Sequence, residues 1–267
     1  MATFGFIGTG NMGGALARAT AKSVAPECIF LSDANAQKAA DLAKDLGCTA
    51  VSAETVAAQC DFIFLGVKPQ VMGSMLESIT SVLADRKDSF VLVSMAAGIC
   101  IGDIQQMLGR EYPVIRIMPN IPVSVGEGVI LYDYSDAVPE AAVAVFRESL
   151  QKAGMVSHLP EKLIDAGSAL SGCGPAFVSL FVEALADGAV MCGLSRQQAM
   201  EYACQTLIGT AQMLLQTGMH PGQLKDAVCS PGGSTIAGVA ALEGGAFRAA
   251  AMDAVVSAYE RTKELGQ

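Results

Sequence analysis

The chain has 267 residues, 52% hydrophobic and only 16% charged, which is too apolar for a disordered chain and long enough for two domains. Its formal net charge is -9 and no cluster of Lys or Arg stands out, so nucleic-acid partners are excluded. Mean hydropathy is +0.43, but the most apolar charge-free run, 166–182, is short and rich in Gly and Ser; with no basic start of a signal peptide, a soluble protein with no membrane span is expected.

In chain order, apolar runs at 3–7, 29–31, 62–66, 90–94 and 114–118 alternate with helical patterns. In 37–46, Ala39, Leu42, Ala43 and Leu46 form one face, and Lys38, Asp41, Lys44 and Asp45 the other. Such alternation predicts a parallel sheet covered by helices on both sides. Runs at 128–132 and 155–159 bracket an amphipathic helix at 138–151 and extend the sheet. After residue 159 only helices are predicted, at 162–169, 175–192, 196–216, 222–229, 234–243 and 247–265, separated by Gly/Pro/Ser breaks. The expected architecture is an α/β domain over 1–159 followed by an all-α domain over 160–267. The helix at 175–192 is apolar on nearly every face except at Glu183 and Asp187. So small a domain can hardly bury it alone, so a second subunit is expected around it; the alternative is the central helix of a monomeric bundle.

The eight cysteines never form C-x-x-C and sit among apolar neighbours, which reads as buried thiols in a reducing, cytoplasmic compartment. The two histidines, His158 and His220, lie far apart, and no metal site is expected.

The first strand runs into Gly8-Thr9-Gly10-Asn11-Met12-Gly13, the G-x-G-x-x-G spacing that opens a helix near Asn11. The glycines permit a tight turn, close approach of a pyrophosphate and close helix–strand packing, and the helix start offers free N–H groups to the anion. The second strand ends at Ser32-Asp33. Asp33 either accepts a hydrogen bond from a ribose 2′-hydroxyl, which favours NADH over NADPH, or caps the next helix; the nearest cation is Lys38. Three further loops at carboxyl ends of strands complete a cleft: Gly66-Val67-Lys68-Pro69-Gln70, Ser94-Met95-Ala96-Ala97-Gly98 and Met118-Pro119-Asn120-Ile121-Pro122.

The all-α part carries one loop with chemistry, Cys229-Ser-Pro-Gly232-Gly233-Ser234-Thr235. Free N–H groups of Gly233, Ser234 and Thr235 at a helix start suit a substrate carboxylate, and the Thr235 hydroxyl can give or accept a hydrogen bond. The bland reading is a plain helix cap. No His, Lys or Tyr of this part occupies an acid/base setting. That favours reduction of an imine, whose iminium form arrives already protonated.

Together these residues resemble pyrroline-5-carboxylate reductases along essentially the whole chain. The resemblance rests on Gly5-Phe-Ile-Gly-Thr-Gly-Asn-Met, Val67-Lys-Pro-Gln, Ala96-Ala-Gly, Arg116-Ile-Met-Pro-Asn, Leu170-Ser-Gly-Cys-Gly-Pro-Ala-Phe and Ser230-Pro-Gly-Gly-Ser-Thr. It implies a Rossmann-type domain plus a helical dimerisation domain, with dimers often assembling into a decamer. It implies reduction of 1-pyrroline-5-carboxylate by NADPH or NADH to L-proline, the last step of proline biosynthesis. In this likeness Gly232, Gly233, Ser234 and Thr235 hold the substrate, Thr235 meets the ring nitrogen, Glu161 is a further substrate contact, and the nicotinamide sits near Ala96, Ala97 and Asn120. The family often places small hydroxyl or amide residues after the second strand to favour NADPH. Asp33 and Ala34 depart from that, as does Ala53 where some members have Asn. The competing readings are a β-hydroxyacid dehydrogenase-like oxidoreductase, whose family needs a Lys where Val178 stands, and a non-catalytic NAD(P)-binding sensor.

Overall fold

A computed structural model of the chain describes residues 1–265. The chain forms two compact units, one of residues 1–173 joined by the described residues from Tyr259 on, the other Gly174–Ala258.

In the first unit, β1 (Phe4–Ile7), β2 (Ile29–Ser32), β3 (Thr49–Ala50), β4 (Phe62–Leu65), β5 (Val91–Ser94), β6 (Val114–Pro119), β7 (Gly128–Tyr134) and β8 (Gly154–His158) make one sheet in the order β3-β2-β1-β4-β5-β6-β7-β8. Every pairing is parallel except β6–β7, which is antiparallel. The five runs expected to form a parallel sheet, β1, β2, β4, β5 and β6, do so, and the exception falls at β7, which was expected only to extend it. Only residues 120–127 join β6 to β7, too few for a crossover, so the chain must turn back on its neighbour. The two-residue β3 was missed because it is exposed and carries no apolar pattern.

Both faces of the strands are apolar because both are covered. Phe4 and Phe6 of β1 stack on Phe62 and Phe64 of β4, with ring centroids 5.1 and 4.5 Å apart. On that face they meet Leu16 of α1 (Asn11–Thr20), Leu42 of α2 (Ala36–Leu46) and Phe146 of α6 (Glu140–Ser149). On the other face Ile7, Ile63 and Leu65 meet Val56 of α3 (Ala53–Gln59), Leu76 of α4 (Pro69–Asp85) and Ile104 of α5 (Ile101–Leu108). Each large side chain so buried contributes about 1.5–3 kcal/mol. The strand order reverses direction about β1, so a crevice opens at the carboxyl ends of β1 and β4, where ligands of such sheets bind. Helix α7 (Glu161–Ser171) packs on β7, with Ile164 buried beside Met118 and Leu131. It therefore groups with the sheet, although the sequence reading placed it in the second domain.

The second unit comprises α8 (Gly174–Met191), α9 (Arg196–Thr217), α10 (Pro221–Ala227), α11 (Ser234–Gly244) and most of α12 (Phe247–Leu265). Helices α8 and α9 pack together, and Phe181 meets Phe247 with ring centroids 5.2 Å apart. Yet within one chain α8 buries only Ala186, and α10 and α11 bury nothing. Leu180 is 70% exposed, Met191 88% and Leu215 77%. Apolar surface on this scale marks an interface. Light scattering at micromolar concentration is expected to give at least twice the 27.5 kDa chain mass; a monomer would show that these faces need no partner.

The stretch Glu161–Met191 has a mean hydropathy of 1.5 over its most apolar 18 residues, long and apolar enough by composition to cross a membrane. It is longer than the run 166–182 because helix extends that run at both ends. A helix buried in a subunit interface meets the same test. All eight cysteines are free. Burial holds only for Cys28 and Cys60; it pushes the Cys60 thiol up to about 12, while Cys192 and Cys204 are exposed, correcting the expectation of uniformly buried thiols.

Candidate cofactor cleft and anion-binding turn

In the first unit, Gly8 has φ +99°, and its N–H donates to the Ser32 carbonyl (2.7 Å) while the Gly66 N–H donates to the Ile7 carbonyl (2.7 Å). A Cβ on Gly13 or Gly66 would overlap the Gly8 carbonyl oxygen, so three glycines interlock where β1, β4 and α1 converge. Gly66 heads one of the three expected cleft loops; its packing against Gly8 was not foreseen, and its signal is a glycine closing a fully buried strand.

Gly10 is different. It caps α1 with no side chain, a Cβ there meets nothing within 4 Å, and the amides of Asn11, Met12 and Gly13 have no partner among the described residues. No acidic residue lies in the first turn of α1. Free N–H groups, open space and the positive end of a helix dipole fit a pyrophosphate. The adjoining cleft, about 1030 Å³, is lined by Gly8, Gly10, Ser32, Asp33, Val67 and Lys68 among others, and its far rim includes Ser52 and Glu54. Lys68 precedes α4 in extended conformation and Pro69 opens that helix. Of this rim the resemblance pointed only to Ala53; Ser52 and Glu54 are brought there by β3 and α3.

Asp33 binds within the protein. Its Oδ2 accepts from the Thr9 amide (2.8 Å) and hydroxyl (3.0 Å), and its Oδ1 from the Asn35 amide (3.0 Å). The helix cap is Asn35, whose side chain accepts from Lys38 N–H, so the cap reading of Asp33 is corrected. Burial pushes the Asp33 carboxyl up, but the hydrogen bonds from Asn35 and Thr9 outweigh it and hold the group below its ordinary value, ionised at neutral pH.

The other cleft residues lie at the ends of β5 and β6, outside the lining of that cavity. Ala97 and Gly98 form an exposed turn with Gly98 at φ +74°, but the Ala96 side chain is buried in the core and cannot meet a ring. Asn120 is 7% exposed; its Nδ2 donates to the Ser171 carbonyl (2.9 Å) and its Oδ1 accepts from the Val129 amide (2.8 Å). Its side chain braces the segment after β6, with one Nδ2 hydrogen and one Oδ1 lone pair each engaged. Glu161 is engaged through one oxygen, its Oε1 accepting from the Ile101 amide (2.8 Å) and from Arg116 (3.2 Å).

In the second unit, Ser230 to Gly233 turns sharply, with Gly232 at φ +71°. The Gly233 N–H donates to the Ser230 carbonyl (3.0 Å), which removes it from the expected anion-binding set. The amides of Ser234, Thr235 and Ile236 have no partner among the described residues, nor does the exposed Thr235 hydroxyl. The unpartnered amides therefore lie one residue further along than expected, in the first turn of α11, as the geometry of a helix start requires.

Residues 161–265 match the family described as pyrroline-5-carboxylate reductase dimerisation, and residues 3–98 that of NADP oxidoreductase, coenzyme F420-dependent. The chain is 41% identical to a pyrroline-5-carboxylate reductase of Methanosarcina acetivorans, over 98% of this chain and 97% of the relative. It is 40% identical to that of Escherichia coli strain K12, over 98% of both. The crystal structure of Plasmodium falciparum pyrroline carboxylate reductase with NADP bound superposes with a TM-score of 0.86 at 34% identity, covering 100% of this chain and 98% of that one. With this identity over nearly the full length, joined to a dinucleotide cleft and a free-amide turn, the chain belongs to the pyrroline-5-carboxylate reductase family.

Proposed function

We propose that the chain catalyses reduction of 1-pyrroline-5-carboxylate to L-proline, consuming one NAD(P)H and one proton. The observation that carries the chemistry is the set of free amides at Ser234, Thr235 and Ile236 beside an unpartnered Thr235 hydroxyl. The amides and the positive end of α11 hold the substrate carboxylate. The Thr235 oxygen accepts a hydrogen bond from the protonated ring nitrogen, which fixes the carbon of the C=N bond as the electrophile. A bound reduced nicotinamide supplies the hydride. The Gly10 loop anchors its pyrophosphate, and the Ala97–Gly98 turn offers the ring a small, exposed surface. No protein acid is needed when the iminium carries its own proton. The assay is oxidation of NADH or NADPH with 1-pyrroline-5-carboxylate; cofactor binding without turnover would favour a sensor. The homodimer is the working unit, located in the cytoplasm, and five dimers form the larger assembly. Sedimentation distinguishes dimer from decamer.

NADH is the preferred cofactor in this reading. An ionised Asp33, pinned by Thr9 and Asn35 at the cleft wall, keeps lone pairs for a ribose 2′-hydroxyl and repels a 2′-phosphate, and Glu54 adds a second negative charge to the lining. Asp33→Ser is expected to raise the NADPH/NADH ratio of kcat/KM by about 10- to 100-fold, as loss of one nearby like charge implies. An unchanged ratio would leave Asp33 as a brace for Thr9 and nothing more.

A further inference from the structure

We propose that Glu161, held by Arg116, is the positioning residue for the Ala97–Gly98 turn, an inference that rests on the assignment of that turn to the nicotinamide. Arg116 lies in β6 with its side chain 5% exposed. Its Nη1 donates to Glu161 Oε1 (3.2 Å) and its Nη2 to Asp165 Oδ1 (3.0 Å), both carboxylates standing on α7 one turn apart. The same Glu161 oxygen accepts the Ile101 amide (2.8 Å), the first N–H of α5. At the other side of the residue, the Glu161 amide donates to Asp133 Oδ2 at the end of β7 (2.6 Å). One side chain thus ties β6, α5 and α7 together while its backbone is fixed to β7.

The knot lies three residues beyond the turn. Ala97 and Gly98 leave β5, Ile99 is buried, the Cys100 amide is held by Asp103 Oδ2 (2.7 Å), and Ile101 is held by Glu161. The turn is therefore clamped by β5 on one side and by two carboxylates at the start of α5 on the other. Stability alone is a poor reason for the arrangement. A buried arginine between carboxylates gains little net free energy, and Arg116 Nε is buried with no partner among the described residues. What the knot provides is a fixed backbone path into α5.

The test combines steady-state kinetics on 1-pyrroline-5-carboxylate with NADH titration of the full-length protein. Glu161→Ala is expected to lower kcat by about 10- to 100-fold, the cost of a small misplacement of the reacting groups, with NADH affinity at the wild-type level. Glu161→Gln restores most of the loss, because an amide oxygen can accept the same Ile101 N–H. Ile101→Pro deletes that N–H at a helix position where proline fits, and is expected to reproduce the kcat loss with Glu161 intact, even should the alanine variant fail to fold. Wild-type kcat in Glu161→Ala or in Ile101→Pro overturns the proposal. So does a glutamine variant no better than alanine, which would mean that the carboxylate charge, and not acceptance of the Ile101 N–H, carries the effect. A wild-type protein inactive on the cyclic imine removes the functional reading and this inference with it; an active wild type with unaffected variants removes this one alone.

Discussion

Gly10→Val is expected to fold normally and to bind no nicotinamide dinucleotide, whereas Gly13→Ala is expected to lose stability. The two glycines stand three residues apart in one loop, and the difference lies in what a Cβ would touch. At Gly10 it meets nothing within 4 Å, and the backbone at φ -61° and ψ -168° accepts a β-branched residue. Loss of a glycine cap costs the helix at most about 1 kcal/mol. The isopropyl group then stands in the open space before the free amides of Asn11, Met12 and Gly13, and a pyrophosphate cannot reach them. At Gly13 the Cβ runs into the Gly8 carbonyl oxygen, which is backbone and is itself wedged against Gly66. Moving that backbone costs about 1–3 kcal/mol or more, a large part of the 5–15 kcal/mol typical of a folded domain. Calorimetric titration with NADH and thermal denaturation separate the two. Wild-type affinity in Gly10→Val would mean that the pyrophosphate lies elsewhere.

Thr235→Ala is expected to lower kcat by about 10²- to 10³-fold, the usual loss when one hydrogen-bonding group facing developing charge is removed. Thr235 is exposed in the first turn of α11, and its hydroxyl has no partner among the described residues, so its removal breaks nothing in the fold. Alanine is also the better helix former. Thr235→Ser keeps the oxygen and is expected to keep most of the activity, while NADH affinity stays as in the wild type for both variants. Full activity in the alanine variant would place the ring nitrogen against some other group.

Much of this was legible beforehand. Strand and helix periods located seven of the eight strands, because β1, β4 and β5 are buried on both faces and read as continuous apolar runs. The G-x-G-x-x-G loop and the Ser230–Thr235 turn were legible because their function resides in backbone N–H groups, which glycine spacing and helix starts announce. What did not show was which side chains are already engaged. Asp33, Asn120 and Glu161 all read as free polar groups near a cleft. Each is taken up by partners 9 to 60 residues away, Thr9, Val129, Ser171, Ile101 and Arg116, pairings that no local pattern encodes. The same blindness hid the Gly66 contact with Gly8 and the Gly233 bond to Ser230.

The bare apolar faces of α8 and α9 have a thermodynamic corollary. A unit that buries little more than Ala186, Ala199 and Ala203 on these helices has scant folding free energy of its own. Folding of that unit and its pairing are then a single equilibrium, in which dilution acts as a denaturant. The melting temperature becomes a function of protein concentration, and a substitution on α8 displaces that whole curve.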